Sequence, residues 1–172
     1  MQLHLNPSVK DTQIAALAAL AIGIHVLESV LPSPLPGIKP GFANIITLIA
    51  YATYGLEVAA WVSVFRVLVS SLIVGTFLSP TFVLSLSGAL ASILTLWLVM
   101  VLAKLKKIEI SLFGLAILMA MAHMLAQFVV VYYFFIPHNA MINILPIMIL
   151  AALIFGSLNG VIANKVYEKL CV

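Results

Sequence analysis

The residues of this sequence whose types and spacing could do chemistry are a few polar side chains inside long apolar runs. Arg66 lies near the middle of one such run, and Ser63 and Ser70 share its helical face. A charged side chain near the bilayer centre costs about 2.5–3.5 kcal/mol on insertion scales, so its presence needs a reason. Two interpretations stay open: Arg66 forms a structural pair with Glu28, or its guanidinium holds an anionic ligand through two parallel hydrogen bonds.

Further polar residues are predicted to converge with Arg66 on one ligand pocket. Side chains of this kind are tolerated in hydrocarbon only when they meet one another, water or a ligand. They could instead be interhelical hydrogen bonds, which contribute about 0.6 kcal/mol each. The predicted ligand-binding residues are Glu28, Lys39, Asn44, Arg66, His123, Gln127 and Asn139, and the loops at 36–44 and 138–139 bound the pocket.

Motifs for enzymatic chemistry are absent from the sequence. There is no P-loop, no dinucleotide fingerprint and no H-E-x-x-H spacing. His25, His123 and Glu28 are residue types that bind zinc, but no metal-site spacing relates them. The single cysteine, Cys171, excludes a disulfide framework. We therefore predict no catalytic residues, no bound metal and no cofactor, and any ATP used must be hydrolysed by another protein.

Composition places the chain in a membrane. Of its 172 residues 65% are hydrophobic and 8% charged, whereas soluble domains have roughly 25% charged residues. Basic residues are too few and too scattered for a nucleic-acid interface. We predict an all-α, multi-pass protein of the inner (plasma) membrane, with residues 1–172 forming one transmembrane domain. Its six predicted helices span about 12–31, 42–54 (short, and tilted or partly re-entrant), 58–77, 82–102, 111–136 and 140–167.

The distribution of lysine predicts the orientation of these helices. With six spans, Lys10, the lysines at 104–107 and those at 165 and 169 fall on one side, and Lys39 falls on the other. The positive-inside rule then makes both termini cytoplasmic. The three outward loops are the ones rich in proline and glycine, so the pocket is expected in the outer half of the bundle.

Small residues in the first helix predict a docking face. Ala15, Ala19 and Gly23 recur every four positions, which permits close approach of another helix. They lie roughly opposite the face that carries His25 and Glu28. The alternative for this face is internal helix packing, which is what we expect of a similar series at 152, 156 and 160 in the sixth helix.

Three stretches carry a resemblance to a known family. LPSPLPGIKPGFANIITLIAYATYGLEVAAWVSVFRVLVSSLIVG, LSLSGALAS and AHMLAQ resemble the small bacterial membrane proteins called Gx transporter proteins, also labelled heptaprenyl diphosphate synthase component I. That family is similar to the substrate-binding S components of energy-coupling factor vitamin transporters. The resemblance implies six helices, an outward pocket, and a first helix that docks on a transmembrane coupling subunit working with an ATPase.

The two labels of the family imply different functions. Prenyl synthases need aspartate-rich motifs to hold magnesium on diphosphate, and this chain has a single aspartate, Asp11. We therefore expect no enzyme activity, and a membrane subunit that binds or transports a small anionic vitamin-like, isoprenoid or flavin-type solute. The alternative is a non-catalytic membrane partner in isoprenoid or quinone (heptaprenyl diphosphate) biosynthesis, or in a membrane redox assembly.

Overall fold

Helices make up all the regular structure in the part of the chain that the computed structural model describes, residues 8–30 and 41–170. Five segments are long and apolar enough to cross a membrane, and one apolar helix is shorter. The chain is therefore an all-α membrane bundle, as predicted, and the predicted end of the first helix at 31 lies outside the described residues. The helices are α1 (Val9–Val30), α2 (Ala43–Tyr54), α3 (Leu56–Val74), α4 (Pro80–Lys106), α5 (Leu112–Val130) and α6 (Leu145–Leu170), with a π-helical turn at Val131–Phe135 and a 3₁₀ helix at Asn139–Ile144.

Local capping explains where the helices begin and end. The hydroxyl of Ser79 accepts a hydrogen bond from the N–H of Phe82, and Pro80 occupies the first turn of α4. The N–H groups in the first turn of a helix have no partner within the helix, so proline, which has no N–H, is well suited to this position. Pro80 therefore starts α4 and does not merely interrupt the chain. Helix α4 therefore begins two residues before the predicted position. Helix α3 ends at Gly75, whose φ of 75° is the left-handed conformation that commonly terminates helices.

Helix α2 is the shortest of the six α-helices described and the most completely enclosed. Seven of its twelve residues are buried, including all of 45–50. It packs against α1, α3, α5 and α6. Because most of its surface is buried against these four helices, α2 forms the centre of the bundle. At 1.5 Å per residue it is about 18 Å long, against the roughly 30 Å of a bilayer's hydrocarbon core.

Two small-residue series have opposite environments. On α6, a Cβ added at Gly156 would come 2.9 Å from the Cβ of Ala120, so this series packs closely against α5. On α1, Ala15, Ala19 and Gly23 are exposed, and nothing lies within 4 Å of a Cβ added at Gly23. The opposite face of α1, which includes Ala21 and Glu28, is buried.

Charged residues collect at one end of the bundle. The side chain of Lys10 in the first turn of α1 forms a surface ion pair with Glu57 in the first turn of α3. The last turns of α4 and α6 contribute further lysines, Lys104, Lys106 and Lys169. The connections at 75–79 and 131–144 lie at the other end. The polar site described next is built near that second end.

Candidate functional site

A cavity of about 450 Å³ lies among the six helices. Its walls come from the end of α1, the start of α2, the second half of α3, the start of α4, the second half of α5 and the first half of α6. Because successive helices alternate in direction, these segments all belong to the end of the bundle opposite the lysines. Five of the predicted ligand-binding residues line it: Glu28, Asn44, Arg66, His123 and Gln127.

Two other predicted site residues have different positions. Asn139 is exposed at the start of the 3₁₀ helix, where its Oδ1 accepts a hydrogen bond of 3.4 Å from the hydroxyl of Tyr132. It is not among the cavity-lining residues, and neither is its exposed neighbour His138. A polar loop residue can satisfy its hydrogen bonds locally, and Asn139 does so. Lys39 and the loop segment before 41 lie outside the described residues.

Arg66 is the charged centre of the site. Its exposed fraction is only 2%, and Ser63 and Ser70 on the same face of α3 are buried with it. The Nη1 group donates a hydrogen bond of 2.8 Å to Oδ1 of Asn44 on α2. Within residues 8–30 and 41–170, Nε has no hydrogen-bond partner. A buried donor without a partner costs free energy, which a ligand or a water molecule in the cavity would recover.

Glu28 and Asn159 hold a single peptide unit between them. Oε1 of Glu28 accepts a hydrogen bond of 2.7 Å from the N–H of Phe42. Nδ2 of Asn159 donates one of 3.2 Å to the carbonyl of Gly41, the other half of the same peptide. We call this arrangement the peptide clamp. It joins α1 and α6 to the first turn of α2, and a carboxylate at a helix N-terminus is electrostatically favourable.

The peptide clamp bears on the interpretation of Arg66. Glu28 bonds to the N–H of Phe42 at the start of α2, whereas Arg66 bonds to the side chain of Asn44, two residues further along. The two charged residues line one cavity, and these two hydrogen bonds join them to different groups of α2 and its first turn. Arg66 is therefore tied to α2 through Asn44, and its position depends on where α2 begins.

His123 occupies a slot against α4. Its Nδ1 lies 3.3 Å from Oγ of Ser92, and that hydroxyl is also within hydrogen-bonding distance of the carbonyls of Gly88 and Met119. A Cβ added at Gly88 would come 2.5 Å from both Cε1 and Nε2 of the imidazole. The ring fits here because residue 88 has no side chain.

Gln127 offers a second polar anchor one turn beyond His123. Its exposed fraction is 8%, and Nε2 donates a long hydrogen bond of 3.4 Å to the carbonyl of Leu84. In the described part of the chain, Oε1 has no partner. The amide can therefore accept a hydrogen bond from an O–H or N–H group in the cavity.

Several cavity residues were not identified by sequence reasoning. Asn159 is the most important, because it supplies half of the peptide clamp. The sequence pointed to it only through the presence of an amide side chain inside the long apolar helix α6. The interpretation of that helix was based on its small residues, and the amide was not considered. Thr81 and Ser85, four residues apart at the start of α4, also line the cavity. Among the described residues there is no group of three or more His, Cys, Asp or Glu side chains placed to hold a metal ion.

Comparison with known proteins gives one match. No curated protein and no solved structure matches the chain. One protein-family model, described as heptaprenyl diphosphate synthase component I, matches residues 17–166. This range contains every cavity residue discussed above. Because the match covers most of the sequence, the chain belongs to the heptaprenyl diphosphate synthase component I family, also called the Gx transporter family.

Proposed function

We propose that this protein is a membrane subunit that binds a small anionic solute for transport. The solute would be vitamin-like, isoprenoid or flavin-type, and partner subunits would supply the energy. The observation that carries the proposal is the buried guanidinium of Arg66 beside a 450 Å³ cavity, with an unpartnered Nε among the described residues. An arginine inside a membrane bundle that borders a cavity is a functional-site hypothesis by default.

The direction of the pocket follows from the charge distribution. The cavity lies at the end of the bundle away from Lys10, Lys104 and Lys169. If the lysine-rich end is cytoplasmic, as the positive-inside rule favours, the cavity faces outward. An outward pocket suits a solute captured from outside the plasma membrane.

Partner subunits would bind to the exposed face of α1. Ala15, Ala19 and Gly23 form a smooth surface on the side of α1 that faces away from the cavity. A transmembrane coupling subunit could approach this surface closely, because these three residues are small. The same helix contributes Glu28 to the cavity, so α1 would connect the solute to the partner.

We further propose that the protein has no enzyme activity by itself. Diphosphate chemistry requires several carboxylates to hold magnesium, and the cavity wall in the described ranges includes one carboxylate, Glu28. The family description favours a second candidate function, because a component I implies a further component. In that case the protein would be a non-catalytic membrane partner in isoprenoid or quinone biosynthesis.

The test is native mass spectrometry of the protein purified in lipid nanodiscs. The binding-subunit proposal predicts a small anionic molecule that is retained by the wild type and lost from Arg66→Lys, since lysine cannot reproduce the planar fork of arginine. The matched control is Ser63→Ala, which changes a buried residue on the same face of α3 that does not line the cavity. A wild-type cavity that retains no small molecule, together with a stably bound second protein component, would favour the alternative.

A further inference from the structure

We propose that the ligand beside Arg66 is a monocarboxylate with a largely apolar body, and not a diphosphate. This inference rests on the proposed function and narrows the class of its solute. It is carried by the hydrogen bonds of Arg66, the charges on the cavity wall and the apolar residues opposite them.

The guanidinium of Arg66 has one edge left for a ligand. Nη1 donates to Asn44, and this bond fixes the plane of the group. Nε has no partner in the described part of the chain, and Nε and Nη2 together form one edge of the planar fork. Two parallel N–H groups match the two oxygens of a carboxylate at about 2.7–2.9 Å. A carboxylate on this edge would satisfy the buried Nε.

The charges on the described cavity wall suit a singly charged ligand better than a multiply charged one. In the described ranges, Arg66 is the one lysine or arginine that lines the cavity, and Glu28, which lines it as well, offsets its charge. Against these described residues, a diphosphate would bring several negative charges near the carboxylate of Glu28, with the guanidinium of Arg66 as their counter-charge. Like charges in a site of low dielectric repel strongly, so a single carboxylate is the better complement.

The start of α4 strengthens the attraction for an anion. Its first turn lines the cavity through Thr81, whereas the start of α2 already has the carboxylate of Glu28 beside it. The N-terminal end of a helix carries a partial positive charge of roughly half an elementary charge. The partial charge of α4 adds to Arg66 without adding a second full charge.

The remaining wall is suited to an apolar body. Met124, Ala152 and Phe155 line the cavity and belong to one apolar cluster between α5 and α6. Oε1 of Gln127, which has no partner in the described part of the chain, can accept a hydrogen bond from a hydroxyl or amino group of the ligand. The volume of 450 Å³ is in the lower half of the ~300–1,000 Å³ typical of small-molecule sites, which suits a compact solute better than a long polyprenyl chain.

The experiment compares three head groups on one carbon skeleton. The probes are 3-phenylpropanoate, 3-phenylpropan-1-ol and 3-phenylpropyl phosphate, each titrated into the full-length protein in nanodiscs of uncharged lipid. Binding is measured as the rise in melting temperature with probe concentration. We expect the carboxylate to raise the melting temperature at millimolar concentration, and the alcohol and the phosphate to raise it less.

Variants assign the effect to Arg66. Arg66→Lys should weaken binding of 3-phenylpropanoate about tenfold or more, because it removes a charge-assisted fork. Ser63→Ala should bind it like the wild type. The inference is overturned if the phosphate or the alcohol binds as tightly as the carboxylate, if no probe binds, or if Arg66→Lys binds like the wild type. A co-purified solute that lacks a carboxylate would also overturn it while leaving the proposed function intact.

Discussion

Gly88→Ala is the sharpest test of how the cavity is built. The added Cβ would lie 2.5 Å from Cε1 and Nε2 of His123 and 2.7 Å from Cδ2. Carbon atoms in contact prefer about 3.5–4.0 Å, so the ring must withdraw by roughly 1 Å. It cannot do so without lengthening the 3.3 Å contact between its Nδ1 and Ser92. The imidazole would be displaced from α4 toward the cavity.

The cost of this substitution can be separated from helix propensity. Overpacking a close contact costs about 1–3 kcal/mol, whereas replacing glycine by alanine inside a helix gains about 0.5–1 kcal/mol. Gly23→Ala is the matched control, because its Cβ would meet no atom within 4 Å. Both variants receive the same propensity gain. The difference in unfolding free energy between them should therefore be about 1–3 kcal/mol, with Gly88→Ala the less stable.

The assay is reversible unfolding of the two purified variants in the same detergent, followed by circular dichroism. Binding of 3-phenylpropanoate is measured on the folded protein in parallel, and Gly88→Ala should bind it more weakly because His123 lines the cavity. If Gly88→Ala were as stable as Gly23→Ala and bound the probe normally, the packing of His123 against α4 would be refuted.

Three further predictions concern other parts of the bundle. Asn159→Leu removes one half of the peptide clamp, while the carbonyl of Gly41 keeps its hydrogen bond from the N–H of Asn44, so the substitution should lower the unfolding free energy by about 0.5–1.5 kcal/mol, whereas Asn164→Leu on the same helix should not; equal melting temperatures would contradict this. Ala19→Leu should leave the monomer folded in detergent but abolish its co-purification with a partner subunit, and an aggregated variant would instead indicate internal packing. A membrane-impermeant thiol reagent added to whole cells, in a Cys171→Ser background, should label Phe77→Cys in the connection after α3 but not Lys106→Cys, and the reverse pattern would invert the orientation.

Helical periodicity predicted which side chains of a single helix point inward. Ser63, Arg66 and Ser70 are buried together on α3, and the exposed face of α1 at Ala19 lies opposite the buried Glu28. These outcomes depend on spacing along one helix, which the sequence contains directly. The same reasoning identified five cavity residues, because a polar side chain within hydrocarbon must turn toward the protein interior.

Contacts between helices could not be predicted in this way. The bond between Asn159 and the carbonyl of Gly41 joins residues far apart in the chain, and the amide of Asn159 alone does not specify its acceptor. The slot at Gly88 depends on the distance between α4 and α5, which no pattern within α4 reports. Asn139 was expected at the cavity because its loop was expected to fold over it, but a local bond to Tyr132 holds it elsewhere.

The short, enclosed helix α2 has a consequence for how the protein is assembled in the membrane. A segment of twelve residues is well below the roughly 20 needed to cross the hydrocarbon core as an independent span. The insertion machinery would therefore recognise α3, joined to α2 through Gly55, far more readily than α2 itself. The two would enter as a helical hairpin, and α2 would reach its final depth only when α1 and α6 close around it. Formation of the cavity would then be among the last steps of biogenesis, because the start of α2, which lines the cavity, is held in place only after the peptide clamp has formed.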